Sequence, residues 1–187
     1  MAVTTLDPNT ALIVIDLQNG IIDYPAAHPI DAIVNQVSLL ADGFRRHDLP
    51  VVLVVATGRA PGRTERARGG GALPAGWADL LPALNRQPQD LTISKRTPGA
   101  FTDTGLEGLL KTRGVTQVII AGVATSNGVE ATARHAYELG FNVTLAIDAM
   151  TDRRPEAHDY SIAHVFPRLG ETGTTRQIID LLGNRSG

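Results

Sequence analysis

The sequence predicts a doubly wound α/β domain, and three observations point to it. Short β-branched runs alternate with segments of helical spacing along the chain, a pattern that builds a parallel sheet with helices on both faces. The runs at 11–15, 51–55 and 117–121 are essentially apolar throughout rather than alternating, which marks strands covered on both sides. The length, 187 residues, suits one domain spanning residues 1–187, because domains commonly hold roughly 100–200 residues.

The first strand, 11–15, ends in Asp16, Leu17, Gln18 and Asn19. A helix over 30–46 follows, with Ile33, Val37, Leu40, Ala41 and Phe44 on one stripe, and Leu49-Pro50 closes the crossover into the strand at 51–55. The stretch 58–89 is rich in Gly, Pro and Arg, with 77–81 as its only helical turn. Long irregular segments in compact domains are usually functional or mobile, so this one is expected to line or cover a site. After a strand at 91–93, Leu106, Leu109 and Leu110 predict a helix over 104–113 that Gly114 stops. A strand at 117–121 leads to a helix over 128–139, carrying Val129, Ala133, Ala136 and Tyr137 before Gly140. A strand at 142–147, a helix over 158–165 expected at a subunit interface, and a helix over 174–182 complete the chain.

Composition narrows the function. The hydrophobic fraction is 43 % and the charged fraction 19 %, as in ordinary globular proteins. Net charge is −2, without the basic excess or stripe of a nucleic-acid binder. No apolar run reaches the roughly 18 residues of a membrane span, and the N-terminus lacks a signal-peptide pattern. A cytoplasmic protein acting on a small molecule is expected, with no nucleic-acid or membrane partner and no cofactor. There is no cysteine, so disulfides, cysteine-based zinc sites and a cysteine nucleophile are excluded.

In open parallel sheets, ligands bind beyond the carboxyl ends of the strands. Asp16 follows the first strand, Ser94-Lys95-Arg96 the third, and Gly122-Val-Ala-Thr-Ser-Asn-Gly128 the fourth. An aspartate there also serves as a cap or turn former, and a lysine as a solvated surface charge. Brought together at one partly buried edge, the two would pair and mark a functional site.

These residues carry a resemblance. The segments 11–19, 93–96, 99–101 and 122–134, and then 136–140 through Asp148-Ala-Met150, resemble the isochorismatase-like hydrolases, in order and over nearly the whole chain. The resemblance implies a three-layer α/β/α fold with a six-stranded, mostly parallel sheet in the order 3-2-1-4-5-6, usually assembled into homo-oligomers (dimer or higher). Most members hydrolyse amides with an Asp-Lys-Cys triad. Asp16 matches the acid, Lys95 the lysine, and the cysteine position falls on Gly128. A non-proline cis peptide common before that position maps to Val123-Ala124. Gln18, Arg68, Phe101, Val123 and Ala124 are then candidates for substrate binding. Arg68, followed by Gly69, lies where isochorismatases carry a substrate-binding arginine after a Pro-Gly, here Pro61-Gly62, although these arginines also fit a solvated loop. Phe101 fits a core position as well. None of the five histidines makes the Asp-x-His spacing of metal-binding nicotinamidases, so no metal is expected.

True isochorismatases resemble the sequence at Gly128, since they too carry glycine there. Their vinyl-ether chemistry needs a general acid and no covalent intermediate. Asp16 is the candidate acid. Lys95 should lower its pKa while burial raises it; alternatively, Lys95 binds a substrate carboxylate. The chain departs from true isochorismatases in reading Ala124-Thr125-Ser126 where they have Tyr-Ala-His, and in lacking their Phe-Trp-Gly segment. The expected activity is non-covalent, acid-catalysed hydrolysis of a small anionic substrate. A catalytically silent binding protein, or an amide hydrolase that activates water with Asp16 and Lys95, are the alternatives.

Overall fold

The computed structural model describes residues 3–22, 26–65 and 72–184. Its elements are β1 (Thr10–Ile15), a short α1 (Asn19–Ile22), α2 (Ile30–Arg46), β2 (Val51–Ala56), β3 (Leu91–Lys95), α3 (Leu106–Thr112), β4 (Gln117–Val123), α4 (Glu130–Glu138), β5 (Asn142–Thr151), α5 (Pro155–Tyr160), β6 (Glu171–Gly173) and α6 (Thr175–Gly183). The six strands form one sheet in the order β3-β2-β1-β4-β5-β6. Every pairing is parallel.

The central strands explain the continuous apolar runs. Successive side chains of a strand point to opposite faces, and here both faces are covered. Ile13 and Ile15 of β1 join Ile120, Leu106, Leu110, Val129, Ala133 and Ala136 on one side. Leu12 and Val14 join Val37, Leu40, Phe44, Ile178 and Leu182 on the other. The sheet is therefore sandwiched, with α3 and α4 on one face and α2 and α6 on the other. The α2 stripe is buried as its spacing predicts. Burying each such Leu, Ile or Phe contributes roughly 1.5–3 kcal/mol.

Four elements differ from their sequence patterns. The three-residue β6 has too little sequence to show a period; it pairs with β5 through Thr144–Glu171 to Ala146–Gly173. β5 continues to Thr151, because a register shift opposite Ile120/Gly122 lets it bulge and then rejoin β4 at Met150 and Thr151. The bulge frees Asp148 to accept hydrogen bonds from Thr175 N (2.7 Å) and Oγ1 (3.0 Å) at the start of α6. The helix expected from 128 is regular only from Glu130, since Thr125–Val129 forms a wider turn in which Val129 N reaches back to Ala124 O at 3.2 Å. Instead of a helix at 77–81, Leu80 bridges antiparallel to Gln18 and a single helical turn follows at Pro82–Leu84. Among the described residues no helix is long and apolar enough to cross a membrane.

Candidate active site

Asp16 leaves β1 in the left-handed region, φ 53, a conformation that aspartate tolerates better than most residues. Its N–H donates to Val54 O at 2.9 Å. Lys95 closes β3, two strands away, or roughly 10 Å at ordinary strand spacing. Its stem passes the end of β2, and Nζ donates to Asp16 Oδ2 at 2.8 Å. The two remaining ammonium protons go to Pro98 O (2.9 Å) and Thr97 O (3.3 Å). The Lys95 side chain is 3 % exposed and that of Asp16 10 %.

Burial and the lysine act on Asp16 in opposite directions, and burial wins. Its carboxyl is held above the usual carboxylate range, although the charge and hydrogen bond of Lys95 pull it down. Asp16 Oδ1 is buried and has no hydrogen-bond partner among the described residues. A carboxylate with one oxygen unsatisfied is poorly stabilised as an anion, which favours the protonated form.

β4 brings the third component. Gly122 has φ 108, and a Cβ there would lie 2.2 Å from Ile15 O, so only glycine lets β4 pass the end of β1 this closely. The Val123–Ala124 peptide is cis. The following turn is tied outward, with Ser126 N (2.8 Å) and Oγ (2.7 Å) both donating to Asp152 Oδ2. Burial opposes ionisation of Asp152, but the donors of Ser126 and the backbone N–H groups of Arg154 and Arg153 outweigh it and hold its carboxyl below the usual range. At the end of the turn, a Cβ built on Gly128 would lie 3.4 Å from Asp16 Oδ2 and 2.9 Å from Ile15 Cγ2. Even a methyl group there would press on Ile15, so glycine lets the turn pack close to the carboxyl.

These strand ends border a cleft of about 930 Å³. Asp16, Lys95, Val123 and Ala124 line it, so four of the residues singled out in the sequence meet there, with Gly128 buried beside Asp16. Gly58, Arg59, Ala60, Thr64 and Trp77 from the irregular segment line it too, as expected of a long loop. Trp77 packs over Gly20, where a Cβ would fall 2.0 Å from the indole. The rim is cationic: Arg59, Arg96, Arg153 and Arg154 contribute to the lining. A separate groove of about 860 Å³ runs over Glu130, Arg134, Tyr137 and Tyr160, without Asp16 or Lys95. Among the described residues no cluster of three His, Asp or Glu side chains could hold a metal.

Two binding candidates, Gln18 and Phe101, are packed into the interior. Gln18 is fully buried, and its amide is spent on the backbone. Nε2 donates to Ala56 O (3.0 Å) and Trp77 O (3.2 Å), and Oε1 accepts from Ala56 N (2.7 Å). It ties β1, β2 and the Trp77 loop together rather than presenting polar atoms to the cleft. Phe101 is a core residue, its ring stacked on Phe141 at 5.9 Å and tilted against His135 at 5.6 Å. Arg68 lies outside the described residues.

Trp77, Arg96, Ser126 and Asp152 also line the cleft, although none was among the binding candidates of the sequence. The signal for Asp152 was its place after a strand, hidden because that strand looked to end at 147. Arg96 directly follows Lys95 and shared its strand-end position.

Comparison with known proteins supplies the setting for this cleft. A model of the isochorismatase domain matches residues 10–177. An uncharacterized isochorismatase family protein of Bacillus subtilis (strain 168) is 38% identical over 181 residues, which cover 91% of this chain and 93% of that protein. Nicotinamidase 3 of Arabidopsis thaliana is 32% identical over 191 residues, covering 95% and 93% respectively. The structure of an isochorismatase family protein from Burkholderia thailandensis superposes with a TM-score of 0.91 at 35% identity, over 96% of this chain and 98% of that one. With a domain match over most of its length and a structural counterpart over nearly all of it, this chain belongs to the isochorismatase family.

Proposed function

We propose that this hydrolase acts without a covalent intermediate, with Asp16 as general acid toward a small anionic vinyl ether of the isochorismate type. The observation that carries this reading is the state of Asp16 beside Gly128. Burial raises its pKa against the pull of Lys95, and Oδ1 has no partner among the described residues. A proton can therefore reside on Oδ1 while Oδ2 accepts from Lys95. At the position that the family resemblance assigns to a cysteine stands Gly128, and no sulfur nucleophile exists in the chain, so a thioester intermediate cannot form.

In this reaction Asp16 transfers its proton to the terminal vinyl carbon, which becomes a methyl group, and the ether-bearing carbon becomes an oxocarbenium centre. Water adds there and returns a proton to the Asp16 carboxylate. The hemiketal then breaks its bond to the ring oxygen as its hydroxyl proton passes to that oxygen, releasing the ring alcohol and pyruvate. The Lys95 ammonium stabilises the carboxylate formed in the first step. Arg59, Arg96 and Arg154 at the rim suit an anionic substrate, and Arg68 belongs to the same proposal. Val123 and Ala124 line the same cleft as the acid. We expect a cytoplasmic homo-oligomer.

The test is incubation with isochorismate, following pyruvate through a coupled dehydrogenase. Asp16→Asn should slow release by about 10²–10⁴-fold, the usual contribution of a general acid. Wild-type release no faster than that of Asp16→Ala would overturn the proposal. The 2.8 Å Asp16–Lys95 pair and the similarity to Nicotinamidase 3 support a second reading, amide hydrolysis by water activated at Asp16. Turnover of nicotinamide or carbamoyl compounds would favour it. Binding without turnover of either class would indicate a silent binding protein.

A further inference from the structure

Two histidines with no part in the proposed reaction join segments that line the cleft. His158, in α5, is 5 % exposed, and its Nδ1 lies 2.8 Å from Thr125 Oγ1, directly after the cis peptide. His28 precedes α2. Its backbone N–H donates to Thr151 Oγ1 at 3.1 Å, and its Nδ1 lies 3.0 Å from the same oxygen. The two imidazole centroids are 4.7 Å apart.

His28 sits on a segment that borders the cleft, and His158 bonds a second one through Thr125. Ala26 and Ile30 on either side of His28 line it, as do Ala124 and Ser126 around Thr125. The end of β5 binds both segments, because Ala27 N donates to Asp152 O at 2.7 Å and Ser126 donates to the Asp152 side chain. The two imidazoles, tilted 58° to one another, join the segment before α2 to α5, with His158 buried and His28 exposed.

We propose that His158 is a positioning residue whose neutral imidazole holds the Thr125–Val129 turn against α5, and that its protonation loosens the turn and the 26–30 wall together. The charged or titratable groups facing His158 are His28 from the segment before α2, Asp152 from the end of β5 and Asp159 from its own helix. Burial first, and His28 second, push the His158 imidazolium down in stability, and the two aspartates oppose them without prevailing. The unfolded chain, with an ordinary histidine pKa of about 6.5, therefore takes up a proton more readily than the native state. The stabilisation is complete above that value and is lost as pH falls through it toward the lower native pKa. The turn holds Ala124 and Gly128 beside Asp16, so an acid limb in activity would arise from His158 rather than from the catalytic acid.

The test is NMR on the intact protein and does not depend on the substrate. The His158 ring is titrated while hydrogen exchange of the Asn127 and Val129 amides, both bonded to Ala124 O, is followed between about pH 8 and pH 5 and corrected for intrinsic exchange. Protection should fall by about tenfold for each unit by which the native pKa is displaced, with a midpoint matching the ring titration. His158→Asn can still bond Thr125 but cannot titrate, so it should keep the protection and lack the acid limb. His28→Asn removes the second imidazole and should move the midpoint upward. Acid-dependent loosening that persists in His158→Asn, or a His158 titration that leaves both amides unchanged, would overturn the proposal.

Discussion

The Asp16–Lys95 pair permits a prediction that separates a buried ion pair from a surface one. Both side chains are nearly inaccessible, and the ammonium makes three hydrogen bonds. Removing one partner of such a pair typically costs about 3–5 kcal/mol, because an uncompensated charge stays buried. The two removals should not cost the same. In Lys95→Met the remaining carboxyl, already above its usual range, can take a proton and become neutral. In Asp16→Asn the ammonium remains among carbonyl oxygens that favour its charge. Asp16→Asn should therefore cost about 4 kcal/mol, or roughly 8–16 °C in Tm for a chain of this size. Lys95→Met should cost less, and its deficit should depend on pH. Its Asp16 pKa is raised further above the unfolded value of about 3.9, so the protonated native state is favoured at low pH and stability falls as pH rises from there through the native pKa. The double variant should recover about 2–3 kcal/mol of the summed losses. The assay is urea denaturation of the four proteins at two pH values. Single losses below about 1 kcal/mol that simply add, as for exposed pairs, would refute the reasoning.

Other perturbations test the surrounding architecture. Gly128→Ala places a methyl 2.9 Å from Ile15 Cγ2 and should cost about 1–3 kcal/mol by overpacking, seen as a lower Tm, while slowing any reaction at Asp16. Gln18→Leu leaves the Ala56 N–H and two carbonyls without their partner and should cost about 2 kcal/mol or more. Since Trp77 is the sole tryptophan, loosening of its loop should appear as a red shift in intrinsic fluorescence; an unchanged spectrum would contradict the tie. Asp152→Ala removes an acceptor whose native pKa is lowered. The stability gap to wild type should be constant at neutral pH and shrink as pH falls below about 4, measured by thermal melts across that range.

The strand-end residues of the site were legible for a physical reason. A parallel sheet places its ligands beyond the carboxyl ends of its strands, so Asp16, Lys95 and the Gly122–Gly128 turn could be found by locating apolar runs and reading the residues just after each run. The α2 stripe was equally clear, because seventeen residues hold several helical periods. Chain positions whose role depends on distant partners were not legible. Gln18 reads as a polar residue at a strand end, and only the approach of Ala56 and Trp77 turns it into a structural tie. Phe101 comes shortly after the lysine motif, yet Phe141, forty residues later in the chain, draws it into the core.

By itself, then, the sequence determined the layered fold, the chemical types gathered at one sheet edge and the absence of a thiol. Local apolar periodicity and residue identity suffice for these. The tertiary structure decided the protonation balance of Asp16, because burial and the Lys95 charge act through space and their difference depends on packing. It likewise decided that Gly128 packs against Ile15 too closely for a larger residue beside that carboxyl, and that His28 and His158, 130 positions apart in the chain, meet ring to ring.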